Sequence, residues 1–492
     1  MTQAVVIGMD LGTTGCKVGA FSLTGELLGH GVSPCTVDRP QASWVEQDCS
    51  QYWDSAVGAT RQALAGVDGS KVLALACCGH TPSLVLLDQE GHPVRPTIIW
   101  QDARATSEAL ALQKEVTPAQ WKTWQGLDLP RNASYPPARL RWLRRHEPET
   151  LRKTRHLLQP KDYLNYRLTG LLASDYWGSK GLVHLSTGQP IEAYREVLEI
   201  DPALAPTCRH PHHLLGRLSA ESARILGLPE GVPVATGWTD ALSGMLGTGA
   251  LARSGSAFDI AGTSEIVGLT ADVEPLSHQG VLVAPILDTD LRVVYGPTQT
   301  SGGAVDWFVA TFLSKQGTRD SRAIDDLIAS TSAGLIFLPY LEGERAPIWD
   351  PKARGVFFGV SLEHTRAHFH RAVLEGVAFS IRHVLETAEM ATGIKAATLH
   401  LSGGGATSSA WNSIKSDVLG RTVQATLVRD AGTLGAAMLA ALAVGAFSNL
   451  QDATRAMVRQ RPSVVPDEEG HLRYNELYHT YREVYDRLRD LY

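Results

Sequence analysis

A strand, a turn of glycine and threonine, and a second strand occur twice in this chain, and no other feature limits its fold as strongly. VVIGMDLGTTGCKVGA starts at residue 5 and SAFDIAGTSEIVGLT at residue 256. Each predicts a hairpin, because glycine accepts the turn and the flanking apolar residues suit a sheet. Two such units in 492 residues, more than one core usually spans, predict two domains. The glycine-dense stretch GVPVATGWTDALSGMLGTGAL at 231–251 marks the expected boundary near 247, dividing the chain into 1–246 and 247–492. Further strands are expected at 72–78, 84–88 and 93–100, and a helix opened by a capping box of Asp48 and Gln51. A long core helix is expected over 368–391, with Val373, Val377, Ile381, Val384 and Ala388 at helical spacing. The predicted class is α/β.

A net charge of -6, with 44% hydrophobic and 20% charged residues, describes an ordinary globular protein and gives nucleic acid no broad basic surface. The densest basic run, RLRWLRRH at 139–146, reads as an amphipathic surface helix. Six cysteines without a CxxC pair or zinc-type spacing are expected as reduced, mostly buried thiols. No apolar run approaches a membrane span and the chain opens directly on a strand, so a cytoplasmic protein without a membrane partner is expected. A homodimer is compatible with this composition and not required by it.

Three glycine-rich turns follow strands: GTTG at 12–15, GTS at 262–264 and SGGGATSS at 402–409. Glycine lets the main chain approach an anion closely, and free amides with threonine hydroxyls donate to phosphate oxygens. Taken singly, each turn also reads as a plain hairpin glycine. No Walker A loop and no GxGxxG fingerprint is present, so a nucleotide would use another scaffold. Asp10 precedes the first turn and Asp240 stands in TGWTDALSG. Alone, either acid is equally well a turn cap. Converging on one site, one could hold Mg2+ through water while the other accepts a hydroxyl proton.

From about residue 5 to 447 the chain resembles the FGGY carbohydrate kinases, and among them the xylulokinase branch. MDLGTTGCK is similar to the family's first phosphate motif, and WVEQD, TIIWQDARA, PKDYLNYRLTG and SDYWGSKG follow its N-terminal domain. AGTSE, SGGAVDW, GLIFLPYLEGERAPIWDPKARGVFFG, HTRAHFHRAVLEG and LSGGGATSSAWNSIKSDVLGR follow its C-terminal domain in order. The resemblance implies two ribonuclease-H-like domains of the actin, sugar kinase and Hsp70 superfamily around a central cleft. Sugar would bind mainly in 1–246 and ATP in 247–492. It implies Asp240 as general base, with Asp10 and Asp240 at Mg2+, and Gly12, Thr13, Thr14 and Lys17 near the phosphates. Gly262 and Thr263 would form a second phosphate loop, Gly302 and Gly303 would lie beside the nucleotide, and Gly404, Gly405 and Ser409 would flank adenosine.

The acceptor pocket departs from the pattern. Xylulokinases carry a Met-His pair in a GQMHG segment and glycerol kinases an Arg-Glu pair there. This chain reads CGHTPS, with Thr81 and Pro82 at those positions and His80 in place of the glutamine. Proline offers no hydrogen-bond donor. His80, Thr81, Trp100 and Asp102, with Gln101 and Arg104 beside them, are the candidate pocket groups. His80 reads equally well as a structural histidine, and Trp100 as core. The expected activity is ATP-dependent phosphorylation of a small sugar, D-xylulose first. Another pentulose or a short polyol such as ribulose, erythritol or glycerol is the alternative, and a catalytically idle sugar- or nucleotide-binding regulator is the reading from another class.

Overall fold

The computed structural model describes residues 4–127, 132–276, 280–286, 289–313 and 329–492. Two compact units are present, Met1–Gly247 with Gly432–Val458, and Thr248–Ala431 with Arg459–Tyr492.

The first unit is built on a six-stranded sheet of β1 (Val5–Gly12), β2 (Gly15–Ser22), β3 (Leu27–Pro34), β4 (Val72–Gly79), β5 (Leu214–Arg217) and β6 (Pro233–Thr239), in the order β5-β6-β4-β1-β2-β3. The first three strands form an antiparallel meander, β4 runs parallel to β1, and β6 parallel to β4. Alternation along β1 puts Val5, Ile7, Met9 and Leu11 into one apolar cluster with Tyr52, Ala56 and Ala59 of helix α1 (Cys49–Ala63). Asp48 caps α1 as expected, but through the Ser50 N–H, at 2.9 Å. Gln51 does not close a capping box, because its amide oxygen accepts from the Thr36 N–H at 2.8 Å. Two further helices matter for the site, α2 (Pro160–Thr169) and α3 (Asp240–Thr248).

The second unit is built on β7 (Ala257–Ala261), β8 (Glu265–Ala271), β9 (Leu282–Pro285), β10 (Arg292–Pro297), β11 (Thr398–Gly403) and β12 (Thr422–Ala425), ordered β9-β10-β8-β7-β11-β12, and repeats the first sheet except for its sixth strand, which lies at the opposite edge. Antiparallel pairs join β7, β8 and β10, while β11 lies parallel to β7 and β12 parallel to β11. After the short helix α4 (Gly302–Phe308), the predicted core helix is α5 (Arg366–Thr392), and Val373, Val377, Ile381, Val384 and Ala388 are all fully buried. Helix α6 (Ser409–Leu419) follows the triple glycine.

Helix α7 (Ala431–Ala443) and the segment to Val458 pack with the first unit, so the expected uninterrupted division at 247 is not how the chain packs. The reason is the small-residue surface of α7. A Cβ on Gly8 of β1 would lie 1.8 Å from the Thr433 carbonyl oxygen, and one on Gly435 would lie 1.9 Å from that of Ser243. Only glycine permits backbones this close. Among the described residues, no helix is long and apolar enough to cross a membrane.

Candidate active site

Strands β1, β4 and β6 are parallel neighbours, so their carboxyl ends reach one edge of the sheet, where open α/β sheets bind ligands. From that edge the chain continues into the GTTG turn, into His80 and Thr81, and into Asp240. Gly237 makes the last of these exits possible. Its φ is +74°, a Cβ there would lie 1.8 Å from the Cys77 carbonyl oxygen, and the register with β4 shifts between Ala235 and Trp238. The irregularity delivers Asp240 to the first turn of α3, where its Oδ1 accepts from the Ala241 N–H at 2.7 Å.

Asp10 is half-buried on the face of β1 that meets α7. The Cys78 Sγ–H donates to its Oδ1 at 3.4 Å, and a Cβ on Gly432 would lie 2.5 Å from its Oδ2. The carboxylate thus faces the amino end of a helix, the end that favours negative charge. Burial pushes the Asp240 carboxyl up to about 7, with repulsion from Asp10 adding to it. The two acids that the sequence placed far apart therefore act on one another.

The GTTG turn is held from outside. Trp100 Nε1–H donates to Thr13 Oγ1 at 2.9 Å, and Gln47 Nε2–H donates to the Thr13 carbonyl at 2.7 Å. Thr14 and Lys17 are exposed at the turn and on β2. Asp102 is not offered to a ligand: its oxygens accept from the Val45 N–H at 2.6 Å and from Arg104 Nε and Nη2. Its buried position beside a guanidinium makes it structural, which corrects the expectation of a pocket contact. His80 is 2% exposed, bonds Ser83 Oγ through Nδ1 at 2.9 Å, and is pushed down to about 3 by burial and by Arg139. It is a neutral histidine inside the fold. Thr81 is half-buried and carries its hydroxyl between Gln159 and Lys180.

The basic run departs from the surface helix expected of it. Arg139 is fully buried and donates to the carbonyls of Pro82, at 3.0 Å, and of Ile98 and Ile99. It ties the CGHTPS segment to the strand before Trp100. Sequence reasoning also passed over a buried cluster at the start of α2, where Lys161 Nζ lies 2.5 Å from Asp162 Oδ1 and 3.0 Å from Asp175 Oδ2. Against the cost of burial, these two carboxylates hold its ammonium above the ordinary lysine range. Lys180 was missed too. Both lysines lie in the quoted stretches PKDYLNYRLTG and SDYWGSKG, but no spacing within them singles out a lysine.

In the second unit the glycine loops close on each other. The Gly302 N–H donates to the Gly262 carbonyl at 3.1 Å, and the N–H groups of Ser301 and Gly303 donate to the Thr263 carbonyl at 2.9 and 3.0 Å. A Cβ on Gly302 would lie 2.3 Å from the Gly262 oxygen. Gly404 and Gly405 follow β11 directly beside β7, since Ala261 pairs with Gly403. A Cβ on Gly405 would lie 2.7 Å from the Trp411 ring. Ser408 caps α6 by accepting from the Trp411 N–H at 3.1 Å, and Ser409 stands exposed in its first turn. Beneath these loops Lys415 Nζ pairs with Asp259 Oδ2 at 2.6 Å and Glu265 Oε1 at 3.1 Å, all fully buried. Backbone amides and small side chains at the ends of parallel strands are suited to phosphate groups.

This architecture is shared with known proteins. Over 98% of this chain and 99% of its own length, the xylulose kinase of Escherichia coli K12 is 29% identical, and that of Bacillus subtilis is 27% identical over 99% and 97%. The crystal structure of xylulose kinase from Rhodospirillum rubrum superposes with a TM-score of 0.85 at 29% identity, covering 99% of both chains. Residues 5–247 match the N-terminal domain, and residues 258–444 the C-terminal domain, of the FGGY family of carbohydrate kinases. The two-unit α/β chain is therefore a sugar kinase belonging to the FGGY family of carbohydrate kinases.

Proposed function

We propose that this protein transfers the γ-phosphoryl group of ATP to a hydroxyl of a small open-chain sugar, with D-xylulose the leading acceptor and Asp240 the general base. The carrying observation is the Asp240 carboxyl, raised to about 7 at the carboxyl ends of parallel strands and facing the charge of Asp10. A base poised near neutrality takes the hydroxyl proton onto its carboxylate as the oxygen attacks phosphorus. Two carboxylates that repel one another also fit a divalent cation that keeps most of its waters, which is how Mg2+ binds. Asp10 and Asp240 would hold it, and it would supply neutralisation of phosphate charge. The rest is alignment, the larger share of what phosphoryl transfer asks of a protein.

In this reading the first unit holds the sugar and the second the nucleotide. The amides of Gly12, Thr13 and Thr14, with Lys17, face phosphates. Gly262 and Thr263 form a second phosphate loop whose shape Gly302 and Gly303 set through their N–H donors, and Gly404, Gly405 and Ser409 flank adenosine. Because CGHTPS departs from the xylulokinase pattern, another pentulose or a short polyol is the second reading. A coupled ADP-release assay across ketoses and polyols tests both. One or a few acceptors should raise the rate far above the rate without sugar. Equal slow release with every sugar and with none would replace the proposal with an idle nucleotide-binding protein.

A further inference from the structure

Lys180 lies among the groups that surround the base. Burial lowers its ammonium to about 8, against the pull of Asp175 and Asp240. Yet neither acid pairs with it: Asp175 is taken up by Lys161 at 3.0 Å, and no described carboxylate comes within ion-pair reach of the Lys180 Nζ. Its acceptors are Thr81 Oγ1 at 3.2 Å and, at the edge of hydrogen-bonding distance, the Trp177 carbonyl at 3.5 Å. An ammonium has three N–H groups. The third has only the Trp177 ring, its centroid 5.6 Å from the Nζ, and is left for a ligand oxygen.

The neighbouring atoms decide what that ligand must offer. The Thr81 hydroxyl hydrogen goes to Gln159 Oε1 at 3.2 Å, and the same oxygen accepts from the Ser83 N–H at 2.9 Å. Both lone pairs of the Gln159 oxygen are thereby used, and the Ser83 donor fixes the orientation of the amide. What remains is the Gln159 Nε2–H2 group, buried with no partner, on a side chain 2% exposed. Around the Thr81 hydroxyl, then, the unused groups are an amide and an ammonium, both donors, against a single remaining lone pair on Thr81 Oγ1. A buried donor without an acceptor costs free energy that a ligand oxygen can recover.

We infer that Lys180 and Gln159, arranged around Thr81, form a donor-rich subsite that takes an oxygen able only to accept, the carbonyl of an open-chain ketose or the carboxylate of a sugar acid, and that disfavours the hydroxyl of a polyol at that place. A hydroxyl brings a proton of its own, while beside it the Gln159 oxygen is already saturated and the Thr81 oxygen has one lone pair left for two unused donors and that proton. The inference rests on the acceptor-site reading above and narrows it, because it separates ketoses and aldonates from the polyols.

The test compares D-xylulose with its two reduced forms, xylitol and D-arabinitol, and with D-xylonate, in wild type and in Lys180→Met and Gln159→Met. Wild type should favour D-xylulose or D-xylonate in kcat/KM, and Lys180→Met should reduce that preference about 10- to 100-fold, the range of one charge-assisted hydrogen bond. The loss should fall mainly in the acceptor KM, with the KM for ATP unchanged, and Lys180→Arg should restore part of it. Preference for xylulose assigns the carbonyl, and preference for xylonate the carboxylate. Polyols used as well as both by wild type would overturn the inference. So would a Lys180→Met variant that loses kcat equally with every acceptor, which would make Lys180 a charge balance for Asp240. Calorimetric binding of the same four compounds separates this inference from the kinase reading. If no acceptor releases ADP but xylulose or xylonate binds in a Lys180-dependent way, the subsite stands and the proposed reaction falls. If neither binds better than the polyols, the subsite falls. Should Lys180→Met not fold, Gln159→Met carries the same comparison.

Discussion

The two units share the order of five sheet strands and a strand-turn-strand opening, yet they spend their acids differently, and the difference is one residue of register. Asp10 stands two positions before Gly12, whereas Asp259 stands three before Gly262. Successive side chains on a strand point to opposite faces. Asp10 therefore shares the face of Gly8 and meets the amino end of α7, half-buried at the edge where Asp240 arrives. Asp259, at the position matching Met9, is turned into the second unit and locked with Glu265 by Lys415. One acid lies beside Asp240 and raises its carboxyl, and the other braces the strands on either side of the GTS turn. The lysines show the same contrast. Lys415 is consumed by two carboxylates. In the first unit Lys161 takes that part, and Lys180 is left to a hydroxyl and a carbonyl.

Breaking the contrast at its functional end should have the largest effect. Asp240→Asn should lower kcat by roughly 10²-fold or more, the usual worth of a positioned general base, while ATP binding measured by calorimetry stays close to wild type. Near-wild-type turnover would remove Asp240 from the reaction. At the structural end, Lys415→Met should destabilise the second unit by about 3–5 kcal/mol, because two buried carboxylates lose their counter-ion. Urea unfolding measures it, and adding Asp259→Asn with Glu265→Gln should recover much of the loss. A triple variant no more stable than the single one would refute the charge account.

The pH dependence is the next largest effect. In the proposed reaction Asp240 must be ionised, so kcat/KM for the acceptor should fall tenfold per pH unit below about 7. Asp10→Asn, which removes a charge that raises the Asp240 carboxyl, should move that limb to lower pH. Stability runs the other way. A carboxyl whose folded pKa exceeds the unfolded value near 4 favours the folded state at low pH, and that contribution is lost as pH rises through about 7. The smallest effect is expected at the turn itself. Trp100→Phe deletes the hydrogen bond to Thr13 and should cost about 1 kcal/mol, a several-fold rise in the KM for ATP in steady-state assays. No change would mean that Gln47 alone holds the turn.

Periodic features were the legible ones. The apolar spacing of 368–391 predicted α5 because a helix buries one face at a fixed repeat, and both glycine-threonine turns lie where the sequence puts them. Arg139 was misread because its charge is visible in sequence, whereas the carbonyls of Pro82, Ile98 and Ile99 that make its burial tolerable come from elsewhere. Asp102 was misread for a related reason. Its partner Arg104 is two residues away, but nothing local says whether a carboxylate beside an arginine faces a ligand or the Val45 amide.

By itself, the sequence determined the two strand-turn-strand units, the three glycine loops, the acid before the first of them and the family, because each depends on residue type at short spacing. Tertiary structure alone decided that Asp10 and Asp240 feel each other, that Asp259 is held by Lys415, that α7 returns to the first unit, and that Lys180 and Gln159 keep donors unspent. These outcomes depend on which strands become neighbours and how closely backbones pack. Hydrogen-bond saturation at a buried site is a property of several distant segments at once, and no local pattern records it.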